Sequence, residues 1–83
     1  MTQKHQRTLE AIFDVPVRSS IPWRDIEGML TAAGADITSD ERSRVRIALN
    51  GVRAVFHRPH PQKETDRAVR SMRRFLTEAG VTP

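Results

Sequence analysis

Two histidines, His57 and His60, stand close together in the second half of the chain, far from the third, His5. Imidazole is the side chain that takes and returns a proton near neutral pH. Around the pair lie Arg42, Ser43, Arg44, Arg46, Arg53 and Arg58. Guanidinium groups stay charged in proteins, so they act as fixed cations and forked donors to phosphate oxygens. These residue types fit metal-free cleavage of a phosphodiester. A base takes the proton of the 2′-hydroxyl, an acid protonates the departing 5′-oxygen, and cations stabilise charge on the phosphoryl oxygens. His57 is the candidate base, and His60 the candidate acid or phosphate anchor. Arg44, Arg46 and Arg58 are the candidate charge stabilisers. Dependence on a 2′-hydroxyl restricts such a substrate to RNA.

Blander readings stand beside this one. His57 can be an exposed strand histidine, and His60, between Pro59 and Pro61, can fix a loop by hydrogen bonding. As a metal pair the two are weak, because no nearby carboxylate at ligand spacing completes a set. No metal or other cofactor is expected. His5 lies in a polar segment and reads as incidental. There is no cysteine, hence no disulfide framework and no thiolate site. The four glycines form no phosphate-binding loop, and the serines lack a histidine–acid arrangement. Tyrosine is missing and aromatics are 5% of residues, which argues against a single-strand platform built on stacking.

A hairpin must position the charged groups. Asn50-Gly51 joins two alternating runs, Arg44 to Leu49 and Val52 to His57. Asn-Gly marks a type I′ turn, because both central residues need positive φ. A two-residue loop sets the register. Leu49 then faces Val52, Ile47 faces Ala54 and Val45 faces Phe56 on one side. Ala48 faces Arg53, Arg46 faces Val55 and Arg44 faces His57 on the other. The first side is a core face; the second is a cationic plate with an imidazole at its edge.

Charge is unevenly spread. Residues 42–74 hold ten basic and two acidic side chains, whereas the remainder holds four and eight. The net charge of +4 therefore hides a strongly basic half, which points to a polyanionic partner. Lys63, Arg67, Arg70 and Arg74 extend the basic set beyond the hairpin. A row at the spacing of Arg67, Arg70 and Arg74 suits either a phosphate backbone or a solvated helix face.

The rest of the chain supplies the scaffold. Lys4 to Phe13 reads as a short helix with Leu9, Ile12 and Phe13 on its apolar side, ending near Asp14-Val15-Pro16. Pro22 suits the first position of a second helix carrying Trp23, Ile26, Met29, Leu30 and Ala33, with Gly34 after it. Trp23 reads as core rather than as a stacking platform. Ala35 to Thr38 forms a short strand around Ile37. From about Glu64 a third helix places Ala68, Met72, Phe75 and Ala79 on one stripe, and Gly80 ends it. The expected fold class is α+β: two layers, a three-stranded antiparallel sheet with helices on one face. Its 83 residues make one domain, with residues 1–20 as an N-terminal helical extension and connector. A polar start and the lack of a long apolar run lead to the expectation of a soluble cytoplasmic protein, without membrane contact.

The chain resembles the HicA family of toxins, small messenger-RNA-cleaving proteins of HicA–HicB toxin–antitoxin systems. Four segments carry the resemblance: the helix from Trp23 to Gly34; Arg42-Ser43-Arg44-Val45-Arg46, at the family's Gly-Ser-His-His position; Phe56-His57-Arg58-Pro59-His60-Pro61, at its proline–histidine loop; and the ending Arg74-Phe75-Leu76-Thr77-Glu78-Ala79-Gly80-Val81. It covers about residues 21 to 83. It implies a double-stranded-RNA-binding-domain-like α-β-β-β-α scaffold, endoribonuclease activity on messenger RNA that stops translation, and a HicB-like antitoxin covering the basic sheet face. The family's histidine after Gly-Ser is replaced here by Arg44, which cannot be a general base. Arg44 and His57 are expected to be direct cross-strand neighbours, so an imidazole at 57 reaches much of the same space. Two further readings stay open: a non-catalytic RNA-binding module on the same scaffold, and a protein-interaction domain whose basic face meets an acidic partner.

Overall fold

The computed structural model of the chain describes residues 2–15, 21–39, 44–57 and 66–83, with backbone alone at 66 and 67. The element order is α1 (Gln3–Phe13), α2 (Trp23–Ala32), β1 (Asp36–Ser39), β2 (Arg44–Leu49), β3 (Val52–His57) and α3 (Asp66–Glu78). The strands form one antiparallel sheet in the order β1-β2-β3. The fold is α+β, as the order of patterns in the sequence requires.

Local chemistry sets the helix ends. Thr2 caps α1, its hydroxyl accepting from the His5 N–H at 3.3 Å. Pro22 stands one position earlier than expected, as the cap of α2 rather than its first residue. Its fixed φ serves an extended cap as well as a first turn. Asp25 in that first turn complements the exposed N–H groups. α2 and α3 end in the same way. Gly34 and Gly80 take positive φ, 97° and 78°. The N–H of the residue after each reaches back, Ala35 to the Leu30 carbonyl at 3.0 Å and Val81 to the Leu76 carbonyl at 2.9 Å. This closure satisfies carbonyls that the helix leaves open.

The core lies between the helices and one sheet face. Val45, Ile47, Leu49 and Phe56 come from the sheet, and Trp23, Ile26, Met29 and Leu30 from α2. Val69, Met72, Phe75 and Leu76 come from α3. Trp23 is 1% exposed and is core. Phe56 sits between Trp23 and Phe75, with ring centroids 6.4 and 5.8 Å away.

α1 is built into this core. Leu9 and Ile12 are buried, and the helix packs against both α2 and α3. Arg73 of α3 fastens its end. Its Nε donates to the Ile12 carbonyl at 3.0 Å and its Nη2 to the Asp14 carbonyl at 2.8 Å, while the guanidinium lies 5.9 Å from the Phe13 ring centre. A cation on terminal carbonyls opposes the negative end of the helix dipole. No helix among the described residues is long and apolar enough to cross a membrane.

Candidate functional site

The hairpin adopts the register that its turn dictates. Asn50 takes φ 51° and Gly51 φ 83°, and the pairs are Leu49–Val52, Ala48–Arg53, Ile47–Ala54, Arg46–Val55, Val45–Phe56 and Arg44–His57. Val45, Ile47 and Leu49 are buried, whereas Arg44 and Arg46 are exposed. Across the turn, Phe56 is buried and Arg53, Val55 and His57 are exposed. Side chains alternate across a strand. The outward set therefore lies on the face turned away from the helices.

β1 enlarges that face. Asp36 pairs with Ala48, Ile37 with Ile47, Thr38 with Arg46 and Ser39 with Val45. Three cross-strand rows result: Asp36, Ala48 and Arg53; Thr38, Arg46 and Val55; then Arg44 and His57. The first two rows rim a shallow open hollow of about 400 Å³. Its floor is apolar, because Ala48 is short and Val55 is 56% exposed. The strand runs over Asp36–Ser39, one residue later than the expected 35–38, and its register adds Asp36 and Thr38 to the face. The signal was present, since Ile37 pointing inward sends both neighbours outward.

The hairpin is tied to the helical layer. The Asn50 Nδ2 donates to the Ala79 carbonyl at the end of α3, at 2.8 Å. The residue that makes the turn thus also anchors the plate to the scaffold.

The sequence-predicted residues divide into groups. Arg44, Arg46, Arg53 and His57 come together on the outer sheet face. Arg70 and Arg74 are exposed on α3, in the helical layer, and Arg74 lies 3.5 Å from Glu78. Their neighbour Arg73 is consumed by the end of α1. Arg67 lies in the backbone of α3. Arg42, Ser43, Arg58, His60 and Lys63 lie outside the described residues. His5, which lies in a polar stretch of the sequence, sits where α1 crosses α2. A side-chain carbon on Gly28 would come within 3.3 Å of its Nε2. Among the described residues, no three histidine or carboxylate side chains are grouped as a metal site.

No family model matches the chain, and neither the curated proteins nor the solved structures contain a significant match.

Proposed function

We propose that the chain is a toxin-type RNA-binding protein of the HicA kind, acting as a metal-independent endoribonuclease on messenger RNA and held silent by a HicB-like antitoxin. The observation that carries this reading is the row of Arg44 beside His57 on an exposed sheet face that also holds Arg46 and Arg53. Guanidinium groups on a flat surface engage phosphates, and an imidazole among them meets the ribose that the phosphates bracket. In this scheme His57 takes the 2′-hydroxyl proton and Arg44 and Arg46 stabilise the phosphoryl oxygens. His60 and Arg58 complete the set as acid and further cation. The layout also agrees with the double-stranded-RNA-binding-like scaffold that the resemblance implies, with α1 as an added helix that joins the core. The same basic face is the surface an acidic antitoxin covers.

A second reading has its own support. His57 is the lone histidine that the described residues put on this face, and Arg44 stands where the family has its histidine. An RNA-binding protein that does not cut needs no more than the arginines.

Incubation of the pure protein with a transcript in EDTA separates the two. Products from wild type, lost in His57→Ala, support the nuclease. Unchanged cleavage by His57→Ala removes His57 from the chemistry. Salt-sensitive binding without products supports the second reading. Loss of all binding at low salt leaves an acidic protein as the partner.

A further inference from the structure

The hollow on the outer sheet face holds a group that phosphate binding does not need. Asp36 lines it together with Thr38, Arg46, Ala48, Arg53 and Val55. A carboxylate on a surface for a polyanion repels the ligand unless it meets donors. Among the described residues no ion pair joins Asp36 to Arg46 or Arg53. The acid and the two cations stand apart around the rim.

The dimensions suit one base. Neighbouring strands run about 4.8 Å apart. Asp36 and Arg53, separated by the β2 residue Ala48, are therefore roughly 10 Å apart at the backbone. That gap takes a purine ring lying on the Ala48 methyl and Val55, with polar groups at its ends. An ionised carboxylate accepts hydrogen bonds and donates none. It pairs best with an edge that offers two adjacent donors. Guanine does this with N1–H and the N2 amino group. Adenine, cytosine and uracil each set an acceptor next to their donor.

We propose that this hollow is a guanine subsite. Asp36 accepts from the Watson–Crick edge of an unpaired guanine, and Arg46 and Arg53 hold the flanking phosphates. Thr38 adds a hydroxyl at the rim. The proposal rests on the reading of this face as an RNA-binding one, and it adds base preference to a surface that otherwise reads only charge.

The test is anisotropy with four labelled oligouridines, each carrying a single central G, A, C or U, at low fixed salt. The full-length wild type and Asp36→Asn are compared, with circular dichroism to check folding. Wild type should bind the G oligonucleotide about tenfold or more tightly than the others, the range expected of one bidentate pair. Asp36→Asn should abolish the preference, so that all four oligonucleotides bind alike, with the A, C and U oligonucleotides bound no more weakly than by wild type because the repelling charge is gone. Equal wild-type binding of all four overturns the guanine subsite and leaves the RNA face standing. A preference that survives in Asp36→Asn also overturns it. Binding of none removes the RNA reading and the subsite together.

Discussion

Replacing Asn50 tests how the charged plate is held. Two separate contributions meet at this residue. Its φ of 51° lies in the left-handed region, where an ordinary side chain pays about 1–2 kcal/mol. Its Nδ2 bonds the Ala79 carbonyl at 2.8 Å, and a partly buried hydrogen bond contributes about 1 kcal/mol net. Asn50→Gly keeps the turn and loses the bond, so it should cost about 1 kcal/mol. Asn50→Ala loses the bond and strains the backbone, so it should cost roughly 2–3 kcal/mol. Asn50→Asp puts an acceptor against the Ala79 carbonyl and should fall below the glycine variant. The assay is urea unfolding followed by Trp23 fluorescence, since that ring is 1% exposed in the fold. With a slope near 1 kcal/mol/M for a small domain, the midpoint should drop by about 1 M for glycine and 2–3 M for alanine. Equal midpoints for Asn50→Gly and wild type would show that the link to α3 contributes nothing. Equal midpoints for Asn50→Gly and Asn50→Ala would show that the turn does not enforce its backbone.

Other outcomes follow from the same contacts. Ile12→Ala, at a position with 0% exposure, should cost about 2–5 kcal/mol by thermal or urea unfolding; a loss under 0.5 kcal/mol would mean that α1 is a dispensable extension. Arg73→Lys should destabilise by about 1–2 kcal/mol despite keeping the charge, because one ammonium does not reproduce the fork that reaches both the Ile12 and Asp14 carbonyls. Val55→Glu should fold normally, since Val55 is 56% exposed, yet lower RNA affinity several-fold by placing a carboxylate beside Arg46; unchanged affinity would move the binding surface elsewhere. Gly28→Ala should stabilise α2 more in a His5→Ala background than alone, by up to about 1 kcal/mol, because only the alanine background clears the 3.3 Å approach to His5 Nε2.

Parts of this molecule are written locally and parts are not. Asn50-Gly51 between alternating runs fixed every pair of the hairpin, because a two-residue turn leaves one register and a one-residue slip exposes Val45, Ile47 and Leu49. The stripes of α2 and α3 and their closing glycines were legible for the same reason: period and caps are properties of neighbouring residues. In the sequence Arg73 is one more arginine next to Arg70 and Arg74. Its partners, Ile12 and Asp14, lie about sixty residues earlier, and no local pattern announces a contact of that separation. The role of α1 was hidden likewise, since Leu9 and Ile12 look alike on a loose extension and in a core. The charged face was legible as far as the hairpin carries it. The acid at its rim was not, because Asp36 becomes part of the face only through the pairing of β1 with β2.

The most direct measurement is the salt dependence of RNA affinity for wild type and for a double variant, Arg46→Ala with Arg53→Ala. Each phosphate neutralised on a single strand contributes a slope of about −0.7 in log K against log salt. Removing two exposed arginines of the sheet face should make the slope shallower by about 1.4 and weaken binding at low salt. A slope identical in both proteins, or no RNA binding by the wild type at low salt, would contradict the assignment of this face to RNA.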